Sequence, residues 1–210
     1  MKRIINYLFI VFFCLFIITG IIQLSVRFKE IYYLDVDYLG IDKLSGLSKE
    51  EIKLNYDYLI KYNLDKENTE FNMPTITSSQ EGKIHFKEVR DIFQNTVKLF
   101  KLSLVVSLIG LYLNIKNKNY NFLKITSRLL IYTPIILLIP IIINFDKSFI
   151  LFHKIMFNND YWIFDPNLDP VIEILPDTFF FHMGIVILTL IILSSITCNL
   201  LYKLLTKKKS

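Results

Sequence analysis

The sequence predicts a mainly α, integral membrane protein: four transmembrane helices, with a small α+β extracytoplasmic cap between the first and second spans. Three observations carry this expectation. Of 210 residues, 53% are hydrophobic and only 20% charged, with six Gly and six Pro, which excludes disordered, collagen-like and disulfide-stapled chains. The apolar residues are gathered into blocks, which one soluble core would not need. All 19 acidic residues fall in two stretches, from Glu30 to Asp91 and from Asp146 to Asp177.

A helix crosses a hydrocarbon layer of about 30 Å in about 20 apolar residues. Four windows fit, at about 4–24, 96–115, 125–145 and 179–202, within a single membrane domain of 1–210. The first window follows Lys2 and Arg3 but is longer than the roughly 7–15 apolar residues of a secretory signal core, and no small-x-small site follows it. It reads as an uncleaved anchor. The second window is short unless Lys98 and Lys101 extend their charges to the headgroups. Pro134 and Pro140 lie within the third and are expected to kink it.

Charge placement orients the spans. The N-terminus, the 114–128 turn and the tail hold no acid, but they carry Lys2, Arg3, Lys116, Lys118, Lys124, Arg128, Lys203, Lys207, Lys208 and Lys209. Basic residues concentrate on the cytoplasmic side, so both termini are expected inside. The acid-bearing segments, a cap at 25–95 and a loop at 146–178, then face outward. The net charge of +5 belongs to these basic ends beside an anionic inner leaflet. No basic patch interleaved with exposed aromatics supports nucleic-acid binding.

Within the cap, Tyr32, Leu34, Val36 and Tyr38 alternate with Tyr33, Asp35 and Asp37, a strand pattern over 31–39. Ser48 followed by Glu51 is a capping-box signature. Apolar Ile52, Tyr56, Leu59 and Ile60 continue behind it at helical spacing. This predicts an amphipathic helix over about 49–63, either packed on the cap or lying on lipid. A polar linker over 73–82 precedes a second helix that starts near Gly82 and continues into the second span. His85 and Glu88, three residues apart, share a face of it. The outward loop is rich in Asn, Asp and Pro, which are turn signals. It also holds the aromatic run Tyr161-Trp162-Ile163-Phe164, suited to anchoring at the membrane interface.

The sequence holds three His and two Cys. Cys14 and Cys198 fall inside predicted spans, so neither is placed as an exposed nucleophile. No GxSxG, Walker loop, GxGxxG, HExxH or paired CxxC is present. His85 and His153, one in each outward segment, remain as proton carriers suited to neutral pH. His182 reads as an interface residue at the start of the fourth span.

Ile84-His85-Phe86-Lys87-Glu88-Val89 resembles the His motif ahead of the second span in the lipoprotein intramolecular transacylases. Phe152-His153-Lys154-Ile155-Met156-Phe157, followed by Asp160-Tyr161-Trp162-Ile163-Phe164-Asp165-Pro166, resembles that family's second His motif and its W-x-F-D-P run. Span order and Ile174-Leu175-Pro176 extend the resemblance over most of the chain. Glu88 and Met156 depart from the expected pattern.

The resemblance implies an enzyme of the bacterial cytoplasmic membrane, with its active site facing outside, acting on diacylglyceryl lipoproteins. It would move the sn-2 acyl chain to the α-amino group of the substrate's N-terminal cysteine, giving lyso-form lipoprotein. It implies catalytic His85 and His153, with Glu88, Trp162 and Asp165 in support, and no cofactor or metal. His85 would act as general base and His153 as donor, though the roles are exchangeable. Two other readings fit the residues: an outward-facing metal-dependent membrane hydrolase using the same imidazoles with Asp160, Asp165 or Glu88, and a non-catalytic lipid-binding accessory protein using the 49–63 helix.

Overall fold

The computed structural model describes residues 2–65 and 70–207; Lys208 and Lys209 of the basic tail lie outside them. Among the described residues there is no strand. The helices in chain order are α1 (Lys2–Arg27), α2 (Glu30–Tyr38), α3 (Ile41–Ser45), α4 (Lys49–Leu64), α5 (Gln80–Lys116), α6 (Asn121–Ile143), α7 (Phe145–Met156), α8 (Val171–Ile174) and α9 (Asp177–Lys207). The chain forms two compact units. One comprises Met1–Leu24, Thr96–Ile143 and Ile185–Ser210; the other comprises Ser25–Asn95 and Asn144–Gly184.

The first unit is built from α1, α6 and the apolar parts of α5 and α9, the four helices long and apolar enough to cross a membrane. Phe9, Ile10 and Cys14 of α1 pack with Phe122, Leu123 and Leu130 of α6 and with Ile191 and Cys198 of α9. A Cβ on Gly110 would overlap the Phe9 ring, so this glycine permits the close approach of α1 and α5. Ser195 Oγ donates to the Ser127 carbonyl at 2.6 Å, which satisfies a hydroxyl that lipid could not. Outward-facing Ile109, Ile136 and Leu193 are more than half exposed, as expected of surfaces solvated by lipid. α6 continues through Pro134 and Pro140 as one helix.

The second unit has its own core, in which Tyr32, Val36, Ile52, Tyr56, Leu59, Phe86, Val171, Ile174 and Phe179 are buried together. Tyr32 stacks on Tyr56 with ring centres 3.7 Å apart, and its hydroxyl donates to the Ile174 carbonyl at 2.6 Å. α4 opens with the expected capping box, both Ser48–Glu51 bonds being present. Its apolar face, including Ile52, Tyr56 and Leu59, is buried against this core. Of the two placements open to the 49–63 helix, the packed one is adopted, and its apolar face is not a lipid-contact surface.

The expected strand over 31–39 is instead helix α2, so the cap is α rather than α+β. Its buried residues are Tyr32, Asp35 and Val36, a helical spacing and not an alternating one. Gly40, at φ 64°, takes the left-handed conformation that glycine adopts without steric cost and turns the chain from α2 into α3.

The third long helix ends at Ile143 rather than at 145. Asn144 then starts α7, its side-chain oxygen accepting from Lys147 N at 2.8 Å. The segment read as a turn-rich loop over 146–178 therefore contains two helices, α7 and α8, with turns confined to 157–170. His182, read as an interface residue, is paired: its Nδ1 lies 2.9 and 3.0 Å from the two carboxylate oxygens of buried Asp35.

Candidate active site

The helix carrying His85 is fixed at its N-terminus from the other sequence segment. Ser79 Oγ accepts from Gly82 N at 2.9 Å, satisfying one of the amides a helix start leaves unpaired. Buried Asp169 accepts from Ser79 N at 2.8 Å, and its charge also suits the positive end of the helix. A Cβ on Gly82 would overlap the Asp169 carboxylate. The helix in fact begins at Gln80, and Gly82 is needed for this close approach. At 37 residues it would measure about 55 Å, well beyond one hydrocarbon layer. Its 80–95 portion belongs to the second unit, and the expected span starts only at 96.

Asp165, expected as a supporting residue, is exposed and shapes this anchor from a distance. Its Oδ1 accepts from Asn167 N at 2.9 Å and from Asn167 Nδ2 at 3.0 Å. Its carbonyl accepts from Asp169 N at 2.8 Å. Asp165 therefore builds the turn that aims Asp169 at the His85 helix, and its carboxylate bonds Asn167 rather than either imidazole.

The two imidazoles meet in the second unit, with ring centres 6.2 Å apart and planes 31° from parallel. Aromatic rings surround them. Phe157 and Phe164 lie 4.7 and 5.4 Å from His85. Phe149, Trp162 and Phe157 lie 4.2, 4.7 and 5.7 Å from His153. The Trp162 indole is stacked on the His153 ring.

The two rings differ electrostatically. His85 is 5% exposed, and its Nδ1 is buried with no hydrogen-bond partner among the described residues. Burial pushes its pKa down to about 4, with nearby His153 adding to the effect, because desolvation disfavours the charged ring. Burial also holds His153 below the ordinary histidine range, opposed by its bond to the Phe149 carbonyl. That bond is 2.8 Å long from Nδ1. Since a carbonyl can only accept, Nδ1 carries the proton, and Nε2 of the neutral ring presents its lone pair.

Glu88, expected to orient His85, is engaged elsewhere. Its Oε1 accepts from Asn159 Nδ2 at 2.9 Å, while its Oε2 is buried with no partner among the described residues. Asn159 also accepts at its carbonyl from Trp162 Nε1 at 3.1 Å, and its Oδ1 accepts from Tyr161 N. In the sequence Asn159 carries only a turn signal, since its link to Glu88 joins positions 71 apart. Phe149 and Phe157, four residues before and after His153, were legible as ring neighbours at helical spacing but were not singled out. Among the described residues, no three His, Cys, Asp or Glu side chains form a metal-binding cluster.

Fold and geometry together define a polytopic membrane protein with a desolvated pair of imidazoles gathered in one compact unit. A family model described as lipoprotein intramolecular transacylase Lit matches residues 7–180. The membrane integral lipoprotein intramolecular transacylase Lit from Bacillus cereus, solved in meso, shares 40% identity with a TM-score of 0.96, covering 100% of this chain and 97% of that one. Structures of the Bacillus cereus protein with the substitutions H85R and H85A, also 40% identical, give TM-scores of 0.89 and 0.90, covering 100% of this chain and 93% and 95% of theirs. A comparison with curated protein sequences found no match. The chain belongs to the lipoprotein intramolecular transacylase family, and it is an acyltransferase.

Proposed function

We propose that the chain moves the sn-2 acyl group of a diacylglyceryl lipoprotein to the α-amino group of that lipoprotein's N-terminal cysteine. His153 serves as its proton carrier and His85 as its hydrogen-bond donor. The observation carrying this is their 6.2 Å ring separation inside an aromatic enclosure. One acyl centre could then lie within hydrogen-bond reach of a nitrogen on each ring. The substrate brings both nucleophile and electrophile, so no Ser or Cys of the enzyme is needed. Holding the two groups together supplies up to about 7–11 kcal/mol of the barrier.

The electrostatics favour His153 as base and His85 as donor, the exchange of roles that the sequence left open. The substrate α-ammonium has a pKa of about 7.7–8.0, far above the value of about 4 to which His85 is pushed. Proton transfer to His85 is therefore steeply uphill. His153 has a free Nε2 lone pair, a backbone acceptor that stabilises its charged form, and an indole face over which a cation is favoured. The ammonium first loses one proton to water; the neutral amine then attacks the ester carbonyl while His153 takes a proton from the attacking nitrogen, and neutral His85 donates a hydrogen bond to the oxyanion. Collapse breaks the acyl C–O bond, and the proton on His153 passes to the departing glycerol oxygen. Ester-to-amide conversion is downhill, so the chain's own residues suffice.

In this reading both termini are cytoplasmic and residues 25–95 and 146–178 face outward, supported by the placement of basic residues. Exposed Phe152 and Ile155, at 52% and 72% on α7 beside His153, would offer an apolar approach for the acyl chain. H85N and H153N should each lose lyso-form product by mass spectrometry while still inserting in the membrane. Normal product from either variant refutes the assignment.

A further inference from the structure

The stack of Trp162 on His153 cannot hold itself, because an indole on a segment of turns has no helix to fix its rotamer. Its Nε1 is bonded to the Asn159 carbonyl, and the Asn159 amide is bonded to Glu88, one turn beyond His85 on α5. Asn159 Oδ1 meanwhile accepts from Tyr161 N at 3.1 Å, which fixes the amide so that its Nδ2 points at the carboxylate. Three hydrogen bonds on one residue thus connect the ring against His153 to the helix that carries His85.

We propose that Asn159 is a positioning residue for acyl transfer: its bond to Glu88 and its bond to Trp162 hold the indole against His153 and so set that imidazole opposite His85. This assigns Glu88 to the same link and not to charge-pairing with His85. The inference rests on the proposed function, in which His153 carries the proton.

N159D tests it. An Asp carboxylate can still accept from Tyr161 N, but it offers Glu88 no amide N–H, and two carboxylates that close repel when both are ionised. Product formation should fall about a hundredfold, the scale expected when a reacting group is displaced by about an ångström. The E88Q/N159D pair restores an N–H to carboxylate bond with donor and acceptor exchanged. It should recover to within about tenfold of the parent, since a charge-assisted bond is remade. Trp162 is the single tryptophan, so its fluorescence reports the stack. In the parent, emission should be quenched as His153 protonates. N159D should lose that titration and the double variant should regain it.

Retained activity in N159D overturns the inference, as does a double variant that recovers neither product nor titration. H153N, assayed alongside, separates the two levels. Full product from H153N overturns the proposed function itself, whereas its loss together with an unaffected N159D overturns only the role of Asn159.

Discussion

Acidification should destabilise this protein through His85, by an amount the structure allows to be worked out. The ring is kept neutral by burial among Phe86, Phe157 and Phe164, with His153 adding to the effect, so its folded pKa is about 4 against an ordinary 6.5. Between these values the unfolded chain binds a proton that the folded one refuses. Stability therefore falls as pH drops from 6.5 toward 4 and levels off below. At about 1.4 kcal/mol per pH unit, the His85 share is about 3 kcal/mol. His153, also held low by burial, contributes with the same sign. The assay is thermal unfolding in detergent at pH 7 and pH 4 for the parent and for H85F, which keeps a ring in the enclosure but cannot titrate. Carboxylates titrate in both proteins, so the difference between the two pH dependences isolates the imidazole. An equal loss of stability on acidification in parent and H85F would refute the claim that the enclosure keeps His85 neutral.

Three further outcomes follow from the same contacts. G82A should displace the Asp169 carboxylate from Ser79 N, costing about 1–3 kcal/mol in unfolding free energy, the range for stranding a buried polar group; an unchanged melting temperature would contradict this. D35A removes the partner of His182 and should cost a similar amount in thermal unfolding, while leaving the His85–His153 contact intact. W162F keeps a ring over His153 and should retain more lyso-form product than W162A, which loses both the stack and the bond to Asn159; equal rates would remove the indole from the argument.

Legibility in the sequence followed the range of the forces involved. The four spans were readable because each is a local run of apolar residues. The α4 cap was readable because its two partners are three residues apart. The error over 31–39 has a definite physical source. Asp35 looks like the solvent side of a strand until His182, 147 positions away, allows it to be buried, and with Tyr32 and Val36 it then completes a helical face. α7 was missed because the Asn, Asp and Pro residues from 158 onward made the whole of 146–178 read as turns, and only the Asn144 cap marks the helix start. At the site, the two histidines were picked by residue type and motif. Glu88 was placed by spacing on its own helix, and the tertiary partner Asn159 won it instead.

The anchor of α5 has a consequence for the making of the enzyme. Ser79 and Gly82 wait for Asp169, and His85 waits for a ring that enters the chain only at position 153. A ribosome that has already delivered three of the four membrane helices has still brought out only one of the two imidazoles of the proposed site. The proposed site would therefore be completed late in translation, when residues 153–169 emerge, and products ending before them should form no lyso-form lipoprotein.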